Sequence, residues 1–176
     1  YRNQNLARAV FTGADLSGAD FSGCNLTETK FWNANCANAK FDNAICNGVK
    51  FNGTKLHRAH FSGTKIDGNT DFSRAVLEET TLHAMHGIRL GTTGSLKKIS
   101  IQSCSFSGTQ FAGRDMGGAY LSWSTFDGLS FQGAILNNAH VIKTSFIACN
   151  MRNINLSRSH IYQANFRNAD FRDEAG

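Results

Sequence analysis

Proline is absent from all 176 residues, and long apolar runs are absent as well. No stretch approaches the roughly 18 consecutive apolar residues of a membrane-spanning helix, and no secretory signal or cleavage site is recognisable. Without proline every backbone N–H can pair, and the 17 glycines suit a chain of many tight turns. Because the chain opens at Tyr1 in the middle of a repeating pattern, we interpret it as a piece of a longer protein.

A large apolar residue returns at every fifth position through most of the chain. In ADLSGADFSGCNLTETKF, residues 14–31, Leu and Phe alternate with this spacing. The pattern starts at Leu6, shifts by one residue before Phe72, is lost over 83–100 and resumes from Ile101. All 14 Phe residues fall on it. An α-helix would repeat about every 3.6 residues and a strand every two, so neither element alone explains the spacing.

Each five-residue unit predicts a short strand followed by a corner. The residue two before the large one is usually small, and residues two apart lie on one side of an extended chain. The second corner residue is often Gly or Asn, which tolerate positive φ, as at Gly13, Asn33 and Gly68. Residue types also recur every twenty positions, as at Phe106, Phe126, Phe146 and Phe166. Four units therefore make one square coil, and coils stack as parallel strands about 4.8 Å apart.

The units resemble the pentapeptide-repeat family, whose signature is Ala-(Asp/Asn)-Leu followed by two variable residues. The matches include Ala14-Asp15-Leu16, Ala19-Asp20-Phe21, Cys24-Asn25-Leu26 and Ala169-Asp170-Phe171. The resemblance implies an all-β fold, a right-handed quadrilateral β-helix with about four pentapeptides per coil, interrupted around 83–100. We expect one domain over 1–176 with an irregular insertion at 83–100. Such a solenoid is a scaffold, so the fold by itself says little about activity.

Two departures from the pattern attract attention. The segment 83–100 allows a protruding loop, a locally irregular coil or a short helical turn. It is either a contact site, with Lys97 and Lys98 as candidate contact residues, or a tolerated insertion. Arg114 occupies an inward slot, where an unpaired guanidinium is costly. Either Asp115 or a backbone carbonyl pairs with it, or the wall bulges and turns it outward.

Cysteine and histidine do not predict a metal or catalytic site. All five Cys fall in inward slots, which is typical of small buried residues, and we expect them to be reduced. A metal site would need clustered ligands at fixed short spacing, and His83 and His86 lack a specified third ligand, so we interpret them as solvated residues. No nucleophile–base pair, phosphate-binding glycine motif or paired outward carboxylates recur. We predict no catalytic residue, no cofactor and no metal.

The twenty-residue register does predict a candidate protein-binding surface. Tyr120, Trp123, Ile142 and Tyr162 fall in outward slots of neighbouring columns on one wall. Outward apolar residues gathered in one patch are typical of a protein contact. The alternative is a packing surface for another domain of the parent chain.

These observations favour a non-catalytic protein-interaction scaffold; the activity of the parent protein stays open. The resemblance implies two settings: a bacterial secreted effector whose β-helix recruits partners or substrates, or a DNA mimic that binds topoisomerases. The DNA-mimic setting needs an acidic rod and is disfavoured, because Lys and Arg exceed Asp and Glu by 18 to 13. Lysines on all four walls disfavour a nucleic-acid track, and no membrane contact is expected. Unpaired strand edges would allow an end-to-end dimer. We expect the protein in the cytoplasm or, for an effector, inside a host cell.

Overall fold

The computed structural model describes residues 1–91, 95–108 and 111–172 and shows a right-handed quadrilateral β-helix. One wall is a parallel sheet whose six strands follow chain order. The strands are β1 (His60–Ser62), β2 (Thr81–His83), β3 (Ser100–Gln102), β4 (Tyr120–Ser122), β5 (His140–Ile142) and β6 (His160–Tyr162). We call this wall the sheet wall. No helix occurs within the described ranges, and the all-β prediction is confirmed.

The other three walls are held by single parallel bridges between successive coils. Asn5 pairs with Asn25, and Lys30 pairs with Lys50, each twenty residues further along the chain. The hydrogen bonds run in both directions. The N–H of Leu6 donates to the carbonyl of Asn25 at 2.8 Å, and the N–H of Asn25 donates back to the carbonyl of Gln4 at 3.0 Å. Because each coil is bonded to the next on all four walls, the backbone forms a stiff square tube.

The corners are turned by residues in the left-handed region of φ. Gly13 has φ of 68° and Asn33 has φ of 56°, which is the conformation predicted for the second corner residue. Gly68 is the exception, since it does not have positive φ. It lies where the chain carries one residue more than a regular unit, so the corner there is built differently.

The extra residue near Gly68 is compensated within the next coil. His60 of β1 pairs with Thr81, a step of 21 residues, and Thr81 pairs with Ser100, a step of 19. From Ser100 to Tyr120 the step is again 20. The second half therefore returns to the register of the first half.

The described part of 83–100 is a locally irregular coil of the stack, the second of the three forms considered. Ile88 bridges to Phe106, and the N–H of Leu96 donates to the carbonyl of Asp115 at 2.8 Å. Its described residues include the fully or nearly fully buried apolar side chains Met85, Ile88, Leu90, Leu96 and Ile99. These side chains point into the core, so the described residues neither project as a loop nor form a helical turn. The extent of the domain, 1–176, stays a prediction.

Phenylalanine rings stack along the core, and one of the two stacks changes walls across this coil. In the first half the rings come from the sheet wall and from the wall opposite. Phe41 and Phe61 stack with centroids 4.7 Å apart, while Phe51 meets Phe41 edge-on at 5.4 Å. In the second half the stack that includes Phe126 lies on the wall that follows the sheet wall along the chain. The other stack stays on the wall opposite the sheet wall, and the inward residues of the sheet wall are aliphatic. The coil 83–100 lies between the two arrangements, and its described buried side chains include no aromatic ring.

Small polar residues in inward slots donate to the preceding coil. Thr54 Oγ1 donates to the carbonyl of Phe31 at 2.7 Å, and Cys149 Sγ makes the equivalent contact to the carbonyl of Phe126 at 3.0 Å. All five cysteines are buried free thiols, so their inward placement is confirmed. Burial raises the pKa of Cys36 to about 12 and that of Cys104 to about 11, which keeps both protonated and unreactive.

Arg114 points inward, as its slot predicts, and is almost completely buried. Its Nη1 donates to the backbone carbonyl of Gly91 at 2.5 Å. Of the alternatives considered, a backbone carbonyl is therefore the acceptor. Burial lowers the pKa of the guanidinium. The bond ties the second half of the rod to the irregular coil.

Candidate protein-binding surface

The sheet wall places two columns of side chains outward in its second half. In β4, β5 and β6 the middle residue faces the core, so the first and third residues face out. The register aligns Tyr120 with His140 and His160, and it aligns Ser122 with Ile142 and Tyr162. A third column lies at the corner that follows each strand and consists, in chain order, of Ser103, Trp123, Lys143 and Gln163. The predicted residues therefore do share one wall.

The four predicted residues are exposed to different extents. Trp123 is 60% exposed and Tyr162 is 59% exposed, whereas Tyr120 is 38% exposed and Ile142 is half-buried. We call Tyr120, Trp123, Ile142 and Tyr162 the aromatic patch. Its two most exposed members lie at the same edge of the sheet wall, two coils apart, with Ile142 between them.

Trp123 occupies the second corner slot of its unit, which elsewhere in the rod also holds arginine, lysine and glutamate. Its φ is 54°, and it is the only aromatic residue with positive φ among the described residues. The left-handed conformation costs a residue with a Cβ roughly 1–2 kcal/mol, a cost that Trp123 shares with the other non-glycine corner residues of the rod. Lys143, one coil further on, holds its Nζ 4.2 Å from the centroid of the indole. The ring is thus held at the corner by a cation while most of its surface stays exposed.

Two histidines, which were not among the predicted site residues, extend the aromatic patch from the ring of Tyr120. The rings of Tyr120 and His140 have centroids 6.0 Å apart, and those of His140 and His160 stack at 5.0 Å. The twenty-residue register places both histidines in the outward column of Tyr120. They widen the candidate surface along the first column.

Beneath the patch lies a hydroxyl without a partner. Ser122 is 2% exposed, and its Oγ makes no hydrogen bond to any described residue. It follows Gln102 and precedes Ile142 in the same outward column. An outward hydroxyl would be expected to contact solvent. Its burial therefore shows that neighbouring side chains cover Ser122.

Lys97 and Lys98 lie at the other edge of the sheet wall. Lys97 Nζ is 3.1 Å from Asp115 Oδ2, and Lys98 Nζ is 3.8 Å from Glu79 Oε1. The N–H of Lys98 donates to the carbonyl of Gly117, so this corner stacks on the corner that leads into β4. The structure therefore pairs both lysines with carboxylates and does not gather them with Trp123.

The histidines at the start of the irregular coil contact different hydroxyls. His83 Nδ1 lies 2.9 Å from Ser62 Oγ, and His86 Nδ1 lies 3.4 Å from Ser105 Oγ. Within the described ranges, no group of three or more His, Cys, Asp or Glu residues could hold a metal ion.

A second exposed tryptophan was missed at the level of sequence. Trp32 occupies the outward slot that directly follows Phe31. It lies beside Lys30 and Lys50 on the wall opposite the sheet wall. Its position relative to the five-residue period was the available signal.

Among the described residues, no helix is long and apolar enough to cross a membrane.

Comparison with known proteins matches the architecture. The family described as pentapeptide repeats matches in eight copies over residues 2–33, 33–68, 104–141 and 142–173. The unmatched stretch, 69–103, contains both the register shift and the irregular coil. None of the curated proteins matches the chain.

Several solved structures are similar to the chain. HetL, a pentapeptide repeat protein involved in heterocyst differentiation regulation in the cyanobacterium Nostoc, has 19% identity and a TM-score of 0.56, over 94% of this chain and 75% of HetL. Rfr23 from the cyanobacterium Cyanothece has 18% identity and a TM-score of 0.43, over 60% of this chain and 67% of Rfr23. QnrB1, a plasmid-mediated fluoroquinolone resistance protein, has 15% identity and a TM-score of 0.34, over 93% of this chain and 91% of QnrB1.

At this level of identity the HetL structure supports the fold and nothing further. The eight repeat copies cover more than half of the residues, and the square coil of twenty residues is the architecture that their spacing predicts. The chain belongs to the pentapeptide-repeat family.

Proposed function

We propose that this domain is a non-catalytic scaffold that binds a protein through the aromatic patch. The observation that carries the proposal is Trp123, which is the most exposed aromatic residue of the patch and is held at its corner by the cation of Lys143. A rod stiffened by hydrogen bonds on four walls presents such side chains with little loss of conformational entropy on binding, because their backbone is already fixed.

The setting we propose is a bacterial protein, in the cytoplasm or, as part of a secreted effector, in a host cell. The support is the family resemblance, and the partner is either a separate protein or another domain of the parent chain. The DNA-mimic alternative, with a topoisomerase as partner, stays disfavoured because the net charge is +5 and a mimic of DNA needs the opposite sign. An end-to-end dimer through the exposed coil ends also stays a proposal.

The test is site-specific photo-crosslinking followed by a titration. A photo-reactive phenylalanine analogue is placed at Tyr162 in the parent protein, and at Ile135 as the matched control. Ile135 is also an exposed apolar residue of the second half, but it lies on the neighbouring wall. We expect crosslinks from position 162 and none from position 135. A crosslink within the parent chain identifies the partner as another domain.

The captured partner is then purified and titrated calorimetrically against three proteins: the unchanged domain, the Trp123→Ala/Tyr162→Ala variant and the Ile135→Ala control. We expect the double variant to bind at least about 2 kcal/mol more weakly if its rings are anchors. The control should bind as the unchanged domain does. Equal affinity of all three proteins would show that the patch is not the contact surface.

A further inference from the structure

The first half of the rod has its own exposed aromatic residue on a different wall. Trp32 is 39% exposed, and its indole is held by two neighbours. Nε1 donates to Asn52 Oδ1 at 3.2 Å, and Lys30 Nζ lies 5.0 Å from the ring centroid. The ring is therefore pre-oriented before any ligand arrives.

Two open grooves border this indole. One has a volume of about 640 Å³ and the other about 570 Å³. Trp32 and Lys50 line both of them, so these two side chains form the ridge between the grooves. The other lining residues include amides and cations: Arg8, Asn33, Asn47, Asn52, Asn69 and Arg74.

The acidic residues of the grooves are occupied by the protein itself. Glu28 accepts from Arg8 Nε at 2.9 Å. Asp67 accepts from the N–H of Gly48 at 2.8 Å. Asp71 accepts from Asn52 at 2.7 Å and from the N–H of its own turn. These carboxylates are therefore hydrogen-bonded to groups of the protein, and those of Asp67 and Asp71 keep their negative charge because their donors are neutral.

Lys50 of the ridge and its neighbour Lys30 can both reach an anion in the grooves. Lys30 and Lys50 are paired in register on adjacent coils, which places their backbones about 4.8 Å apart. Neither ammonium forms an ion pair with a carboxylate in the described ranges. Lys50 Nζ donates to the carbonyl of Asn69 at 2.8 Å, and the charge of Asp71, the next residue in its column, offsets part of its own.

We propose that this wall binds an acidic peptide segment that crosses the ridge from one groove to the other. Carboxylates of the peptide would pair with Lys30 and Lys50, and an aromatic or aliphatic side chain between them would pack on Trp32. The amides along both grooves match the donors and acceptors of a peptide backbone. The wall strands are already bonded on both sides, so the peptide binds across them through side chains and does not add a strand.

The extent of positive charge favours a peptide over a nucleic acid. A single strand of DNA or RNA needs a continuous cationic track with several stacking rings. The outward column here reads Val10, Lys30, Lys50 and Asp71 on successive coils, so the basic stretch ends after two residues. One tryptophan and two adjacent cations suit a short acidic segment.

Tryptophan fluorescence tests the proposal directly. The chain has two tryptophans, so in a Trp123→Phe background the emission reports Trp32 alone. The probes are the peptide Glu-Glu-Phe-Glu-Glu, the neutral peptide Gln-Gln-Phe-Gln-Gln and an oligothymidylate of matched length. We expect a saturable change with the acidic peptide that weakens with added salt, and at least tenfold weaker binding of the neutral peptide.

The variants separate this wall from general charge attraction. Lys30→Gln/Lys50→Gln should weaken the acidic peptide at least tenfold. Lys40→Gln/Lys55→Gln removes the same charge from equivalent slots on two other walls and should leave binding unchanged. Far-ultraviolet circular dichroism checks that each variant is folded, and calorimetry with the same probes detects binding that leaves the emission unchanged.

Three results would overturn the proposal: no saturable binding of the acidic peptide by either method, equal loss in both lysine pairs, or tighter binding of the oligothymidylate. The aromatic patch lies on the opposite wall, so its own test stands or falls separately.

Discussion

Replacing Phe126 by alanine is expected to cost close to the upper end of the range for a buried phenylalanine. Phe126 is fully buried. Its ring stacks on Phe106 at 5.0 Å and on Phe146 at 5.2 Å, and it meets Phe111 and Phe131 edge-on at 5.4 and 5.6 Å. Phe→Ala in a core costs about 3–5 kcal/mol. The hydrogen-bonded walls prevent collapse around the cavity, so we expect about 4–5 kcal/mol.

Phe171 provides a matched control from the last described coil. It has the same slot in its unit but is 45% exposed and meets one described ring, Phe166, at 5.6 Å. Phe171→Ala should therefore cost less than about 2 kcal/mol, because only part of the side chain leaves an apolar environment. The measurement is urea unfolding followed by circular dichroism. Because coils contact only their neighbours, hydrogen exchange is used to check that both halves unfold together. A cost for Phe126→Ala below about 1 kcal/mol, or equal costs for both variants, would refute the reasoning.

Two further predictions follow from burial and from backbone conformation. Thiol titration of the native protein should label few or none of the five cysteines quickly, because burial shields them and raises the pKa of Cys36 to about 12; all five should react in denaturant, and rapid native labelling would contradict their inward placement. Ala148→Gly should stabilise the protein by about 0.5–1 kcal/mol, because the exposed Ala148 has φ of 55° and glycine adopts this conformation without the steric cost of a Cβ. Urea unfolding measures it, and an unchanged or lower midpoint would show that this corner is not strained.

The regular part of the structure was predictable because its rule is local. Each five-residue unit makes its own strand and corner, so the inward and outward slots follow from counting along the chain. The same counting places Tyr120 and Tyr162 on one wall and buries Phe126, and the structure agrees. Positive φ at Gly13 and Asn33 follows from their slot in the unit, since Arg8 and Glu28 adopt the same conformation in that slot.

The irregular coil could not be predicted in this way, because 83–100 carries no period to count. Its course depends on closing a register that gains one residue before Thr81 and loses one before Ser100. That closure is a property of the whole stack: Ser100 must meet Tyr120 of the next coil. The acceptor for Arg114 likewise became known only when the fold placed the carbonyl of Gly91 beside it.

For the two candidate surfaces, the residue order determined which side chains point outward and which share a column, because strand alternation and the twenty-residue coil depend on the chain alone. Only the tertiary structure decided what those side chains do. It paired Lys97 with Asp115 while leaving Lys30 over the ring of Trp32, and it opened grooves on both sides of that ring. These differences arise from side-chain conformations and contacts between coils, where groups that the sequence separates by about twenty residues meet at the distance of one strand spacing.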